Sequence, residues 1–273
     1  MDLHAVKSTP PTALFGMAVI LLVALTGLFA PFIAPYGETE VVGLGFEPWG
    51  GDYLLGTDSL GRDIASRLIF GARNSVGIAL ATTVLAFLAG TALGLLAAGL
   101  GGWTDQILAR LIDLLISIPS LVFALLLLSI FGTSIPMLVL IVAVLEMTRV
   151  FRLTRAVAMD VAVMDYVEAA RLRGEGLFWV LRREVLPNIT APLVAEFGLR
   201  FCFVFLAISA LSFLGLGIQQ PTADWGSMVR DTAQLITFGE VVPLLPAGCI
   251  ALLTVSINFV VDWMLHRASG LED

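Results

Sequence analysis

The chain has few charged residues. Only 14% of its 273 residues are Asp, Glu, Lys or Arg, whereas 58% belong to the hydrophobic set. An average soluble domain carries about 25% charged residues, so this chain has too little polar surface to cover itself in water. The composition excludes an ordinary cytosolic enzyme, a disordered tail and a secreted disulfide scaffold, and it predicts an integral membrane protein.

Cysteine, histidine and lysine are almost absent. Cys202 and Cys249 lie in long apolar runs, where a thiol behaves as a small hydrophobe, and no disulfide is predicted. His4 and His266 lie at opposite ends of the chain, so no metal site is predicted. A Walker A loop for ATP needs a lysine at the end of a glycine-rich loop. The single lysine, Lys7, follows no such loop. We therefore predict that the chain binds no cofactor and that a partner supplies any energy from ATP.

Catalysis inside the membrane is not predicted either. A zinc protease of the bilayer needs a His-Glu-x-x-His helix, which two isolated histidines cannot form. An aspartyl protease needs two facing acids near the middle of two spans, and these are missing. No serine has a histidine near it on an apolar helix. The sequence therefore predicts a protein that is not an enzyme.

Long apolar runs are abundant. A helix that crosses the hydrocarbon core needs about 20 mostly apolar residues, and six stretches meet this length. The predicted spans are residues 13–35, 76–100, 107–131, 133–156, 191–214 and 243–265. The first exceeds the roughly 7 to 15 apolar residues of a signal peptide, so we expect it to stay uncleaved. The predicted fold class is an all-α polytopic membrane protein with six transmembrane helices.

The basic residues divide unevenly between the two sides of such a bundle. With the N-terminus inside, eleven of the 15 lie in inner segments or at inner span ends, and four lie outside: Arg62, Arg67, Arg73 and Arg230. Lys and Arg concentrate on the cytoplasmic side of membrane proteins. Both termini are therefore predicted to be in the cytoplasm, an N-in/C-in arrangement.

The segments between the predicted spans differ in length and composition. The predicted division is a cytoplasmic tail at 1–12, the first span at 13–35, an outer segment at 36–75, a core domain at 76–265 that contains an inner segment at 158–190 and a second outer segment at 215–242, and a tail at 266–273. In the first outer segment, Leu60, Ile64 and Leu68 recur at helical spacing, which predicts a helix lying in the membrane interface. The spacing of Gly90 and Gly94 favours close helix packing rather than a hinge.

The inner segment, 158–190, needs an explanation of its own, because joining two spans does not require about 30 polar-rich residues. Asp165 and Glu168 have the spacing of an N-cap and its capping-box partner, which predicts a short helix that starts one residue after Asp165. Gly174 is predicted to end this helix in a left-handed conformation. A second short helix is predicted to stop at Pro187.

The first of these short helices carries two adjacent small residues, Ala169 and Ala170. Their small side chains would let another protein surface approach the backbone closely, with Glu168 and Arg171 as charged contacts. The competing interpretation is a solvated hairpin whose caps only satisfy backbone groups. The residues alone do not decide between the two.

The inner segment carries a recognisable signature. Glu168, Ala169 and Ala170 are followed by a glycine four residues after the second alanine and later by a leucine and a proline, Leu186 and Pro187. This order resembles, residue by residue, the cytoplasmic signature of ABC importer permeases, in which the loop forms a coupling helix that sits in a groove of the ATPase subunit. The resemblance implies an ATPase-docking site made of Asp165, Tyr166, Glu168, Ala169, Ala170, Arg171, Gly174 and Pro187.

Two outer motifs extend the resemblance over nearly the whole chain. The first motif consists of Leu55, Gly56, Thr57, Asp58, Ser59, Leu60, Gly61, Arg62, Asp63, Ser66, Arg67, Gly71 and Arg73. The second consists of Ser212, Phe213, Leu214, Gly215, Leu216, Gly217, Pro221, Trp225, Gly226 and Ser227. Both resemble motifs of the second permease subunit in dipeptide, oligopeptide and nickel importers. The implied fold is the transmembrane domain of a type I ABC importer.

The resemblance also implies partners and a cargo. This chain would form half of a translocation pathway in the bacterial inner membrane, together with a homologous second permease subunit. One or two cytoplasmic ABC ATPase subunits would bind ATP and Mg²⁺, and an extracytoplasmic binding protein would deliver the substrate. The expected cargo is a di- or oligopeptide, with nickel, a metal chelate or glutathione as alternatives. No nucleic-acid partner is implied.

The residues alone leave one other kind of transporter open, a secondary transporter driven by an ion gradient. Such a protein needs ionisable groups near the bilayer midplane, and Glu146 is the deepest acid in the predicted spans. Arg149 lies three residues away on the same helical face. The two side chains are therefore predicted to form an ion pair that faces the bundle, with a direct transport role for Glu146 as the alternative.

Overall fold

The computed structural model describes residues 10–268, so most of the predicted tails at 1–12 and 266–273, including Lys7, lies outside the described residues. Within this range the chain is mostly helical, apart from a stretch without helix at 34–63 and shorter connections, and its only extended pairings are two isolated bridges. The helices are α1 (Pro11–Leu28), α2 (Ala30–Ile33), α3 (Ile64–Leu100), α4 (Gly102–Ile116), α5 (Ser120–Phe131), α6 (Ile135–Ala162), α7 (Asp165–Leu172), α8 (Leu177–Val180), α9 (Leu186–Asn188), α10 (Thr190–Phe213), α11 (Trp225–Thr232) and α12 (Leu244–Ala268). A π-helical turn, Leu181–Val185, joins α8 to α9.

Four helices between residues 10 and 268 are long and apolar enough to cross a bilayer, namely α1, α3, α10 and α12. Helices α4 and α5 meet the same requirement only as a pair, and they are bent by 85°. Helix α6 has 28 residues but carries Glu146, Arg149 and Arg152 in its apolar part. The predicted total of six spans is therefore not confirmed, and the N-in/C-in orientation stays a prediction.

Helix α3 is a single helix of 37 residues, about 55 Å long at 1.5 Å per residue. Its N-cap is Asp63, whose carboxylate accepts a hydrogen bond from the backbone N–H of Ser66 at 2.7 Å. Leu60 precedes the helix, and no proline interrupts Ile64–Leu100. The prediction of a separate interfacial helix is therefore wrong, because the apolar stretch after Asp63 continues into the span.

The predicted span at 107–131 is broken near its middle. Helix α4 ends at Ile116, and α5 starts after Pro119, whose backbone is extended at φ −53° and ψ 118°. Proline lacks an N–H and disfavours a helical conformation in the residue before it, which accounts for the break. Helix α5 alone has 12 residues, about 18 Å, and is too short to cross the hydrocarbon core by itself.

Two glycines allow α3 to lie directly against α6. A Cβ on Gly90 would lie 2.7 Å from the carbonyl oxygen of Met147, and one on Gly94 would lie 2.8 Å from Cβ of Thr154. Both distances are shorter than van der Waals contact, so no larger residue fits at either position without moving the helices apart. The prediction that these two glycines serve packing is confirmed.

The apolar core comprises one large cluster, one smaller cluster and a third that contains only Ala97, Ile112 and Phe151 as buried members. The large cluster lies between α3, α5, α6, α10 and α12, and its large fully buried side chains include Leu128, Leu138, Phe205, Ile208, Leu211 and Leu253. The smaller cluster lies under the inner segment, 158–190. The inner segment is therefore packed on the membrane helices and does not extend freely into solvent.

Candidate functional site

Helix α7, the first helix of the inner segment, starts one residue earlier than predicted. Its N-cap is Met164, which has an extended backbone and no capping side chain. The backbone N–H of Glu168 donates to the carbonyl of Met164 at 3.2 Å, so Asp165 is the first helical residue and the predicted capping box is wrong. Asp165 and Glu168 instead lie in the first turn, where negative charge interacts favourably with the helix dipole.

The predicted end of α7 at Gly174 is confirmed. Gly174 has φ +87°, in the left-handed region. Its N–H donates to the carbonyl of Arg171 at 2.9 Å, and the N–H of Glu175 donates to the carbonyl of Ala170 at 3.3 Å. These two bonds form a Schellman motif. No atom lies within 4 Å of the position that a Cβ would take, so the backbone conformation alone favours glycine here.

The two adjacent alanines of α7 lie on different faces of the helix. Ala170 is fully buried, as is Val167, whereas Ala169 is exposed. An α-helix turns by about 100° per residue, so neighbouring residues cannot share a face. The prediction that both alanines face a partner is therefore wrong for Ala170, whose small side chain serves packing inside the chain.

The buried face of α7 lies on the smaller apolar cluster, which draws on several membrane helices. Its buried members are Ala158, Val167, Ala170, Val180, Leu181, Val185, Ile189 and Leu193. The segment also packs on the end of α3, since a Cβ on Gly99 would lie 3.0 Å from Cδ1 of Leu177 and from Cδ2 of Leu181. The inner segment is therefore packed on the ends of α3, α6 and α10.

The second helix of the inner segment does not stop at Pro187. It continues from α8 through the π-helical turn into α9, which contains Pro187 and ends at Asn188. The backbone N–H of Leu186 donates to the carbonyl of Leu181, five residues earlier. This wider turn gives room for the proline ring, whose missing N–H would otherwise end the helix. The predicted helix end is therefore wrong.

The exposed side of the inner segment combines charged and apolar side chains. All the predicted docking residues except Ala170 are exposed, namely Asp165, Tyr166, Glu168, Ala169, Arg171, Gly174 and Pro187. Beside them, Leu172 and Phe178 expose 82% and 75% of their surface. Large exposed apolar side chains flanked by charges of both signs are typical of a protein-binding surface.

An ion pair that the sequence did not predict lies near the inner segment. Nη2 of Arg155, near the end of α6, donates to Oδ2 of Asp105 at 2.6 Å, and Nε of the same arginine contacts Oδ1. This bidentate ion pair joins α4 to α6. Asp105 and Arg155 lie 50 residues apart, so no local spacing pattern could have predicted the pair.

Glu146 pairs with Arg200 of α10 and not with Arg149. Nη1 of Arg200 lies 3.2 Å from Oε2 of Glu146, whereas Arg149 is exposed. Nε of Arg200 also lies 2.7 Å from Oε1 of Glu196. Glu146 and Arg200 are each only 7% exposed. The predicted Glu146–Arg149 pair is wrong because the helix α10 packs against the other side of α6, a contact that spacing along one helix cannot reveal.

The first outer motif forms a buried ionic network. Oδ2 of Asp58 lies 2.7 Å from Nη2 of Arg62 and 3.4 Å from Nε of Arg67. Nη1 of Arg67 donates to the backbone carbonyls of Glu38 at 3.1 Å and Pro221 at 3.3 Å. Arg67 is 2% exposed. The motif therefore connects the two outer segments to each other.

The second outer motif packs on α3. Nε1 of Trp225 donates to the carbonyl of Leu68 at 2.9 Å, and the indole ring occupies the space beside Gly71. The carboxylate of Asp224, the N-cap of α11, accepts a hydrogen bond from Oγ of Ser75 at 2.8 Å. Burial raises the pKa of Asp224 above its ordinary value, although its hydrogen bonds oppose the shift. Both outer motifs thus meet at the start of α3.

Comparison with known proteins covers most of the chain. The family model described as "Binding-protein-dependent transport system inner membrane component" matches residues 90–269, and "N-terminal TM domain of oligopeptide transport permease C" matches residues 10–43. The chain is 39% identical to the di/tripeptide transport system permease protein DppC of Pseudomonas aeruginosa, over 92% of this chain and 85% of that protein. It is 36% identical to the dipeptide transport system permease protein DppC of Haemophilus influenzae, over 92% of this chain and 87% of that protein. A glutathione transport system permease protein, GsiD of Pectobacterium atrosepticum, is 31% identical over 90% of this chain and 82% of that protein.

Proposed function

Because the chain belongs to the family of binding-protein-dependent transport system inner membrane components, we propose that it forms one half of the pathway through which a bacterial ABC importer carries di- or tripeptides across the inner membrane. The observation that carries the peptide assignment is the 39% identity, over 92% of this chain, to a relative named for di/tripeptide transport. A relative named for glutathione transport agrees with this cargo class, since glutathione is itself a tripeptide.

The inner segment is our candidate for the surface that receives the work of ATP hydrolysis. Support comes from the exposed side of α7 and α8, which presents charged residues beside Leu172 and Phe178. Further support comes from the buried side, which packs on α3, α6 and α10. In this proposal ATP and Mg²⁺ are bound by one or two partner ATPase subunits.

The translocation pathway itself is proposed to form between this chain and a homologous second permease. Two of the cavities found among the described residues hold only about 10 and 40 Å³. Another is an open groove of about 410 Å³ that is lined almost entirely by apolar side chains, among them Phe87 and Phe197. Sites that hold small molecules usually enclose about 300 to 1,000 Å³ with a few placed polar groups. Selection of the cargo is therefore assigned to an extracytoplasmic binding protein.

Nickel and metal chelates are less well supported as cargo than peptides, because the relatives compared above are named for dipeptide, di/tripeptide and glutathione transport. An ion-driven secondary transporter is not favoured. The acid on which that alternative rested, Glu146, already has a cationic partner in Arg200.

Uptake by reconstituted vesicles tests the proposal. The complex of this chain with its second permease, ATPases and binding protein should accumulate labelled alanyl-alanine when ATP is supplied on the ATPase side. Excess unlabelled peptide should compete, whereas Ni²⁺ should not. Accumulation of Ni²⁺ without peptide uptake would reassign the cargo, and ATP-independent uptake driven by a proton gradient would contradict the importer assignment.

A further inference from the structure

Three charged side chains lie among the membrane helices, in the pair of helices that borders the inner segment. Glu146 lies on α6, about 24 Å from the end that enters the inner segment. Arg200 and Glu196 lie on α10, about 15 and 9 Å from the end that leaves it. Charged side chains at this depth are costly, and they generally mark a functional site.

Arg200 is held by contacts on several sides. Its guanidinium lies within 3.2 Å of Glu146 and 2.7 Å of Glu196, and its Cζ lies 4.6 Å from the centre of the Phe203 ring. The desolvation of buried charges offsets much of their mutual attraction, so an apolar group of the same size commonly stabilises a fold equally well. Stability alone therefore gives a weak reason for a triad of charges at this place.

The position of the triad suggests a mechanical reason. Helices α6 and α10 leave the inner segment at its two ends, and the smaller apolar cluster joins them there through Ala158 and Leu193. The Glu146–Arg200 contact joins the same two helices a second time, farther into the bundle. Two points of attachment prevent one helix from rotating or sliding independently of the other.

The triad also adjoins the break between α4 and α5. Glu146 borders a cavity of about 40 Å³ that is also lined by Ser120, the first residue of α5, and by Ala207 and Leu211 of α10. A movement of α6 and α10 together therefore reaches the one bent helix pair among the described residues.

We propose that Glu146, Arg200 and Glu196 form a clamp that makes α6 and α10 move as one unit when the inner segment moves, so that ATP hydrolysis is coupled to rearrangement of the membrane helices at the α4–α5 break. The clamp rests on the proposed function as an ATP-driven peptide importer. Its three members are positioning residues, because they act through the helices that carry them.

The coupling ratio tests the clamp. We would measure ATP hydrolysed per molecule of labelled alanyl-alanine taken up, in vesicles that contain the complete complex and its binding protein. Glu146→Gln keeps the side-chain shape but removes the charge, and Arg200→Lys keeps the charge but removes the planar fork that meets two carboxylates. Both should raise the ratio by about fivefold or more, the lower end of typical coupling between sites. Arg149→Gln, an exposed position on the same helix, is the matched control and should leave the ratio unchanged.

A variant without buried charge separates coupling from folding. In Glu146→Met/Glu196→Gln/Arg200→Met no unpaired charge remains, so this variant should reach normal membrane levels even if a single substitution does not. The clamp predicts that it hydrolyses ATP with a raised ratio. A wild-type ratio in this variant, or in both single variants, would overturn the clamp while leaving the importer assignment intact. Failure of the wild-type complex to take up peptide would instead overturn the proposed function.

Discussion

Neighbouring residues of the inner segment have different roles, and the structure separates them. Ala169 is exposed and Ala170 is fully buried, although the two alanines belong to the same sequence signature. Gly174 is exposed and leaves space for a Cβ, yet its positive φ ends α7. A signature of small residues thus combines a surface position, a packing position and a backbone position, and each makes a distinct prediction.

Arginine substitutions at the two alanines should give opposite results. Ala170→Arg places a long cation in the apolar cluster under α7, at a cost of about 3 kcal/mol or more, and it should lower both the melting temperature and the membrane level of the complex. Ala169→Arg should leave both unchanged but reduce ATP hydrolysis stimulated by the binding protein. Thermal unfolding and ATPase assays on the two variants decide the matter. Equal destabilisation by both would show that the two faces of α7 have been assigned incorrectly.

Gly174→Val tests the backbone position. A β-branched residue at φ +87° is strained by about 1 to 2 kcal/mol, and it should distort the end of α7 without affecting the lengths of the spans. We expect near-normal membrane levels with clearly reduced stimulation of ATP hydrolysis. Gly174→Asn is the matched control, because asparagine tolerates the left-handed region. Equal stimulation in wild type and Gly174→Val would remove this turn from the coupling mechanism.

We predict that Asp224 makes the stability of the protein depend on pH. Its ordinary pKa is 3.8, and burial raises the pKa in the folded state. The folded state therefore binds this proton more tightly than the unfolded state, and the resulting stabilisation is complete below pH 3.8 and is lost as the pH rises through the raised pKa. We would measure the melting temperatures of wild type and Asp224→Asn from about pH 4 to about pH 7. The melting temperature of wild type should fall relative to that of the variant as the pH rises. A difference that does not change with pH would contradict this account.

At the scale of helices and turns, the sequence predicted features that depend on local chemistry. Gly174 ends α7 as expected, and the predicted spans at 191–214 and 243–265 correspond to α10 and α12. These features follow from apolar length and from glycine's access to positive φ, which are properties of single segments.

Features that depend on contacts between segments could not be predicted in this way. The packing of the inner segment on the ends of α3, α6 and α10 depends on contacts between residues that are far apart in the sequence. The partner of Glu146 is 54 residues away in sequence. The inner segment was therefore predictable as a signature and as two short helices, whereas the division of its residues between buried and exposed faces was not.

The contact between α3 and α6 depends on glycine at particular positions. Gly90→Ala would place a Cβ 2.7 Å from a backbone oxygen of α6, so the helices must separate, and we expect a loss of about 1 to 3 kcal/mol. Gly77→Ala, in the same helix, meets no atom within 4 Å and should be neutral or stabilising by up to about 1 kcal/mol. Thermal unfolding of the two purified complexes provides the comparison. A larger loss for Gly77→Ala than for Gly90→Ala would contradict the packing described for these helices.

At the scale of the whole molecule, the outer segments and the inner segment are each held by contacts with the membrane helices, and a bent helix pair lies between them. The outer segments are joined by Arg67 and by Trp225 at the start of α3. The inner segment is packed on α3, α6 and α10. Between these two ends lie the bend of 85° in the α4–α5 pair and the charged triad. This arrangement agrees with the proposal that a movement of the inner segment acts on the helices near the break.

The most direct test of this account is photocrosslinking of the inner segment in native membranes. A photoreactive residue at position 169, on the exposed face of α7, should form an adduct with the ATPase subunit of the complex. The same residue at position 52, an exposed site in the predicted outer segment, should form none. An ATPase adduct from position 52 would contradict the predicted orientation. The absence of an ATPase adduct from positions 168, 169 and 171 alike, in an assembled and active complex, would contradict the docking surface.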